Sequence, residues 1–209
     1  MSDDLWLIAG LGNPGPRYAK TRHNAGYLVT DVLAGRLRGT WRSHRTGRAD
    51  VIEGRLGEPP GHRVILARPR AFMNDSGGPI SAIAAFYKIP LGKIIAVHDE
   101  LDLPFATVRV KQDGGDGGHN GVRSLRQALG SGDFLRVRIG IGRPPGRQDP
   151  ADFVLTDYRA AERKEIGEIV DRAADATRSL VVGRNTSNVE PSNGALRTEM
   201  NPPLCWTTP

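Results

Sequence analysis

Leu5-Trp-Leu-Ile-Ala-Gly-Leu11 is a continuous apolar run that stops at Gly12 and Pro14, the pattern of a strand buried on both faces. A polar stretch from Gly12 to His23 follows, and Asn24 is placed to cap a helix running to about Leu37, with Tyr27, Leu28, Val32 and Leu33 at helical spacing. Residues 49–56 and 63–68 read as strands joined by the turn Gly57-Glu-Pro-Pro-Gly61. A second helix is predicted over Ser76–Lys88, closed before Pro90, and Lys93–His98 is another core strand with Asp99 just past its end. Over Thr107–Lys111 the pattern alternates, Val108 and Val110 to one side, Arg109 and Lys111 to the other. A glycine loop at 114–118 leads into a helix over Asn120–Leu129. Leu135, Val137 and Ile139 then alternate with Arg136 and Arg138, and a last helix spans roughly Arg159 to Val182. Strands interleaved with helices predict an α/β fold: one domain over residues 1–183, with a central mixed, partly parallel, twisted sheet and helices on both faces. Residues 184–209 are rich in Asn, Thr, Ser and Pro without periodicity, which reads as a loose, divergent C-terminal tail.

Composition narrows the class. The 209 residues suit one domain, and 38% hydrophobic residues suffice for one buried core. Mean hydropathy is -0.38, and no apolar run approaches the roughly 20 residues that span a bilayer, so no membrane association is expected. The start, Met1-Ser-Asp-Asp, is acidic and the apolar run after it is short, unlike a secretory signal; a cytoplasmic protein is expected. Cys205 is the single cysteine, which excludes an intrachain disulfide and a cysteine metal cluster. Lys and Arg exceed Asp and Glu by 29 to 23, a net +6 that favours an anionic partner, nucleic acid being the commonest.

Several motifs compete for the chemistry. Gly10-Leu-Gly-Asn-Pro-Gly15 is a literal G-x-G-x-x-G after a strand, yet Pro14, Pro16 and the polar stretch to His23 delay the helix that should hold a pyrophosphate. Gly114-Gly-Asp-Gly-Gly-His-Asn-Gly121 lacks the Lys-Ser/Thr of a phosphate-binding loop, which argues against a nucleoside triphosphatase. There is no G-x-S-x-G elbow, Cys205 lies in the tail, and His23, His98, His119 and Asp99 have no tight metal-ligand spacing, so neither a metal nor a cofactor is expected. Histidine and asparagine do recur at loop exits, in Arg22-His23-Asn24, Phe72-Met73-Asn74, His98-Asp-Glu-Leu-Asp102 and Gly118-His119-Asn120. Ligands of α/β sheets bind beyond the carboxyl ends of strands, where such loops converge. An imidazole is largely neutral at pH 7 and can take a proton from water; a carboxylate fixes its tautomer; asparagine amides suit a carbonyl or oxyanion. The set favours hydrolysis of an activated ester. Arg109 with Lys111, and Arg136 with Arg138, form a phosphate clamp beside the glycine loop if their strands are neighbours. A non-catalytic RNA-binding protein is the rival reading.

Six segments, in order, resemble those of the bacterial peptidyl-tRNA hydrolase family: Gly10-Leu-Gly-Asn-Pro-Gly15 with Tyr18, Thr21-Arg-His-Asn24, Pro69-Arg-Ala-Phe-Met-Asn74, His98-Asp-Glu-Leu-Asp-Leu103, Gly117-Gly-His-Asn-Gly121 and Arg136-Val-Arg-Ile-Gly-Ile-Gly-Arg-Pro144. The resemblance covers roughly residues 5–182. It implies a monomeric α/β enzyme, without metal or cofactor, that cleaves the ester between an N-blocked peptide and the 3′ end of tRNA. By position, it implies that His23 is the catalytic base, Asp99 its supporting carboxylate, and Asn13 the residue distinguishing N-blocked from free aminoacyl-tRNA. Tyr18, Phe72, Asn74 and Asn120 would hold the tRNA 3′ end and the peptide backbone, Met73 and His119 would line the same site, and Lys111 with Arg138 would clamp the tRNA 5′-phosphate. Two features depart from the family pattern. Asp113 and Asp116 make the glycine loop acidic, placing a carboxylate where it would weaken phosphate binding at Lys111, and Asn201-Pro-Pro-Leu-Cys-Trp206 stands where relatives carry a helix with an Asn-Arg-x-His-like sequence.

Overall fold

Seven strands hydrogen-bond into one sheet in the order β2-β3-β4-β1-β5-β7-β6. They are β1 (Leu5–Gly10), β2 (Arg42–Ser43), β3 (Ala49–Leu56), β4 (His62–Pro69), β5 (Ile94–Glu100), β6 (Val108–Gln112) and β7 (Leu135–Gly140). The computed structural model describes residues 5–183; the tail expected over 184–209 lies outside the described residues. β1 pairs in parallel with β4 and β5, and β5 in parallel with β7, while β3, β2 and β6 add antiparallel edges. The sheet is mixed, as the sequence predicts.

The uninterrupted apolar runs of β1 and β5 exist because both faces are covered. Trp6 and Ile8 join Ile95, Val97, Val137 and Ile139 under α1 (Ala25–Arg36) and α5 (Ala160–Val182). Leu7 and Ala9 join Ile65, Ile94 and Ala96 under α2 (Gly77–Tyr87) and α3 (Asn120–Leu129). Each fully buried Leu or Ile contributes about 1.5–3 kcal/mol by leaving water.

Three local departures from the sequence reading bear on the site. Asp99 lies inside β5 rather than beyond it, because its peptide continues the parallel ladder opposite Ile139. Asn24 occupies the N-cap position of α1 but makes no capping bond with its side chain, which is used elsewhere. A short helix, α4 (Pro150–Val154), was also not anticipated; Asp149 caps it by accepting the Ala151 N–H at 2.8 Å, and Pro150 opens it.

The parallel strands β1, β4, β5 and β7 all end on the same side, so the loops after them meet there. Close approach is built into the sequence at Gly26, where a methyl group would lie 2.2 Å from the Val97 carbonyl and 2.5 Å from the Leu11 nitrogen. The start of α1 is thereby pressed against the ends of β1 and β5.

Candidate active site

The loops at this end are stitched together by asparagines. Asn24 Oδ1 accepts the Asn13 N–H at 2.8 Å and Asn24 Nδ2 donates to the Asn13 carbonyl at 3.0 Å. Asn13 in turn accepts the Met73 N–H on Oδ1 at 2.8 Å, tying the loop after β1 to the turn after β4. All three residues are buried, so each bond also satisfies a polar group that would otherwise cost roughly 1–3 kcal/mol. The first two glycines of Gly10-Leu-Gly-Asn-Pro-Gly15 serve this packing: a methyl at Gly12 would meet the Tyr27 ring at 2.6 Å, and one at Gly10 the Gly26 carbonyl at 2.6 Å. These glycines let the loop after β1 lie on α1.

His23 sits on the 3-10 turn Arg22–Asn24 just before α1. Its Nδ1 lies 2.9 and 3.0 Å from the two oxygens of Asp99, which is 2% exposed. On the other side His119 Nε2 lies 3.1 Å from Asp99 Oδ1. Burial alone would raise the Asp99 pKa, but the fields of His23 and His119 and their hydrogen bonds hold it well below the usual carboxylate range. Asp99 is therefore an ionised acceptor, and both imidazoles donate to it. That assigns the tautomers. His119 accepts the Gly121 and Val122 N–H groups on Nδ1, at 3.1 and 3.3 Å, so its remaining nitrogen carries the proton given to Asp99. His119 thus holds Asp99 and caps α3, with no lone pair left over. His23 donates through Nδ1 and keeps its Nε2 lone pair free. Burial pulls the His23 pKa down, the adjacent Asp99 charge and hydrogen bond push it up, and the net shift is upward from 6.5.

Two cavities meet at His23. One, of about 310 Å³, is lined by Asn13, Tyr18, Phe72, Met73, Asn74 and Leu155, and the other, of about 270 Å³, by Asp99, Glu100, His119, Asp149 and the glycine loop. His23, Asn120, Ala151 and Val154 line both. Phe72, 56% exposed, meets the edge of Tyr18 with ring centres 6.2 Å apart, leaving an aromatic surface open at the mouth. Sequence reading brings all of these together except Asp149, the α4 residues Ala151 and Val154, and Leu155 just after α4; Glu100 enters it only inside the His98–Asp102 segment, without a role. The Asp-Pro step at 149–150 is a helix-start signal that would have revealed α4.

His23, Asp99 and His119 each offer one ligand atom, and these lie within 4.8 Å of one another, so they are the set that could hold a metal among the described residues. His23 Nδ1, both oxygens of Asp99 and His119 Nε2 are engaged with one another in hydrogen bonds.

A family model described as peptidyl-tRNA hydrolase matches residues 7–199. The chain is 56% identical over 190 residues to the peptidyl-tRNA hydrolase of Frankia alni, covering 91% of this chain and 92% of that protein. The Streptomyces coelicolor peptidyl-tRNA hydrolase is also 56% identical, over 85% of this chain and 89% of its own length. The crystal structure of peptidyl-tRNA hydrolase from Acinetobacter baumannii superposes with a TM-score of 0.78 at 35% identity, covering 87% of this chain and 90% of that one. This chain belongs to the peptidyl-tRNA hydrolase family.

For a member of this family the cationic residues matter next. β6 and β7 are neighbours, with Arg109 opposite Arg138 and Lys111 opposite Arg136, as the clamp requires. They are not equivalent cations, however. Arg136, 2% exposed, donates to the carbonyls of Gly114 and Gly115 at 2.8 and 2.6 Å and so shapes the glycine loop. Arg138 is engaged through Nε and Nη2 with Glu100 Oε2 at 3.0 and 2.9 Å. Lys111 borders the same cavity of about 220 Å³, together with His98 and Asp116; burial and then the neighbouring Arg138 and Arg136 lower its pKa. The two loop carboxylates divide: Asp116 accepts the Gly118 N–H at 2.9 Å and faces Arg123 and Arg126 at 3.5 and 3.7 Å, whereas the field of Asp113 reaches Lys111.

Proposed function

We propose that this chain hydrolyses the ester between an N-blocked peptide and the 3′ end of tRNA, with His23 as general base. The observation that carries the reading is the free Nε2 of His23, its other nitrogen held by Asp99, at the junction of two cavities bordered by three carboxamides. Water on Nε2 loses its proton as its oxygen attacks the ester carbonyl. The imidazolium that forms faces the ionised Asp99, which offsets the developing charge. The collapsing tetrahedral intermediate expels the tRNA 3′-oxygen, which takes the proton from the His23 imidazolium and restores the neutral base, and the peptide leaves as its carboxylic acid. Asn74 and Asn120, both exposed, supply amide N–H donors for the developing oxyanion and the peptide backbone.

Asn13 has its oxygen committed to Met73, so its amino group alone is available to the cavity. A donor there accepts a hydrogen bond from nothing, which disfavours a free α-ammonium and suits the carbonyl of an N-blocked substrate. Tyr18 and Phe72 offer their rings to the terminal base, and Met73 lines the same cavity. Lys111 and Arg138 receive the 5′-phosphate, Glu100 yielding part of its hold on Arg138. No helix of the described residues is long and apolar enough to cross a membrane. The enzyme acts as a cytoplasmic monomer, in the compartment where its substrate is made.

Release of N-acetylated amino acid from charged tRNA tests the reading. Turnover is expected, and a chelator should leave it unchanged; a folded protein that binds tRNA without turnover would favour the RNA-binding rival, and loss of activity reversed by zinc would put a metal on the triad. For the clamp, Lys111→Ala is expected to reduce the slope of log affinity against log salt by about 0.7–0.9, one phosphate contact. An unchanged slope in filter-binding titrations would remove Lys111 from the clamp. Arg138→Ala is the less clean probe, because it also strands the buried Glu100.

A further inference from the structure

Arg22 immediately precedes His23 and is 1% exposed. Nearly all that satisfies its guanidinium comes from the segment that follows α4. Nη1 donates to the Thr156 carbonyl at 3.2 Å, to Thr156 Oγ1 at 2.6 Å and to the Asp157 carbonyl at 2.7 Å, while Nη2 pairs with Glu162 at 2.5 Å. Its central carbon, Cζ, lies 4.4 Å from the centre of the Phe153 ring and 5.4 Å from that of Tyr158. The backbone repeats the connection: the Arg22 N–H donates to the Thr156 carbonyl at 3.1 Å, and Thr21 bridges Asp157. Glu162 Oε2 also accepts the Arg159 N–H at 2.5 Å, so the same carboxylate starts α5.

The segment so held is short. α4 has five residues, too few for a helix to persist on its own intrahelical bonds. Its apolar side chains, Phe153 and Val154, cluster with Ile141 and Tyr158, and only partly buried residues such as Leu28, Phe105 and Ile166 link this cluster to the core under α1 and α5. Yet Ala151 and Val154 form the wall common to both cavities at His23. A buried ion pair is a poor device for stability, since apolar residues of similar volume commonly do as well or better. What a planar fork with several donors supplies is a fixed geometry.

We propose that Arg22 is a positioning residue for ester hydrolysis: it locks the α4 wall to the turn carrying His23, so that the substrate held by the wall is in register with the base. The proposal rests on His23 being that base. The two can fail separately, because a free wall lowers kcat without moving the pH limb that reports His23, whereas a wrong base leaves the His23→Ala enzyme active.

The test is the double variant Arg22→Met with Glu162→Gln, which removes the ion pair while the glutamine keeps the capping bond to Arg159. Its thermal midpoint is expected within about 3 °C of the parent. Its kcat on N-acetyl-aminoacyl-tRNA should fall about 10–100-fold, the scale of a misplacement near 1 Å, with the acidic limb unmoved. Recovery of kcat to within about twofold at that midpoint would reduce Arg22 to a structural role and overturn the proposal. Arg22→Lys keeps the charge but cannot span the acceptors, so it should not rescue; full activity would equally overturn it. Should the double variant fail to fold, Thr156→Val deletes the hydroxyl at an exposed position, and with it the bond from Arg22 and the bond to the Phe153 carbonyl. A fall in kcat of about threefold at unchanged stability is then expected, and an unchanged kcat would decide against it.

Discussion

His23→Ala is expected to remove turnover while leaving tRNA affinity nearly intact. The imidazole is the base at the junction of the two cavities whose lone pair is free and whose pKa is raised from 6.5: Nδ1 is occupied by Asp99, and His119 has both nitrogens engaged. General-base assistance is typically worth about 10²–10⁴-fold, so kcat should fall by at least that range. Binding is carried by other residues, the aromatic mouth at Tyr18 and Phe72 and the cations beside the glycine loop, which lie outside the triad. Single-turnover deacylation paired with equilibrium titration of tRNA separates the two effects. A variant retaining more than about a tenth of the parental kcat would exclude His23 as the base.

Asp99→Asn is expected to lower kcat about 10²–10⁴-fold with little change in size or packing. Asp99 Oδ1 accepts from both imidazoles, and His23 also contacts Oδ2. An amide has one oxygen and one donor in their place. If its oxygen stays with His119, its amino group faces His23 Nδ1 and selects the tautomer with a proton on Nε2, which cannot accept one from water. The pH profile supplies a second and independent sign. In the parent, neutral His23 is required, and its raised pKa puts the acidic limb of kcat above 6.5. Removing the Asp99 charge deletes what raises that pKa and leaves burial, which lowers it. The limb should therefore move to lower pH as the plateau falls. A limb that stays in place would mean that it does not report His23.

The site was largely legible because its residues are chemically distinctive and sit at the ends of elements whose hydrophobic pattern is strong. The paired glycines, the His-Asn steps and the alternation of Arg109 and Lys111 with Val108 and Val110 could all be placed without coordinates. Asn24 shows where such reading stops. It stands at the right position to cap α1, but its side chain bonds to both backbone groups of Asn13, eleven residues earlier, and no local rule prefers that partner. Arg136 and Arg138 show the same limit. Alternation put them on the polar face of β7, yet one is spent on glycine carbonyls and the other on Glu100, leaving Lys111 as the less committed cation. α4 escaped notice because five residues carry too little periodicity to stand out, although its Asp-Pro start was written in the chain.

Local preference and burial on both faces decide the elements and the class of fold, because they act over a few residues: continuous apolar runs must be covered from both sides, and periodic ones from one. The chain alone therefore specifies a mixed α/β sheet with polar, histidine-bearing loops at its strand ends. Which of those loops share a water is settled by packing. His23 and Asp99, seventy-six residues apart, come within 2.9 Å because Gly26 lets α1 seat on the ends of β1 and β5. The charge state of the pair, the tautomers of both imidazoles and the pairing of Arg22 with residues 156–162 exist only once that contact excludes water, since burial and proximity together set them.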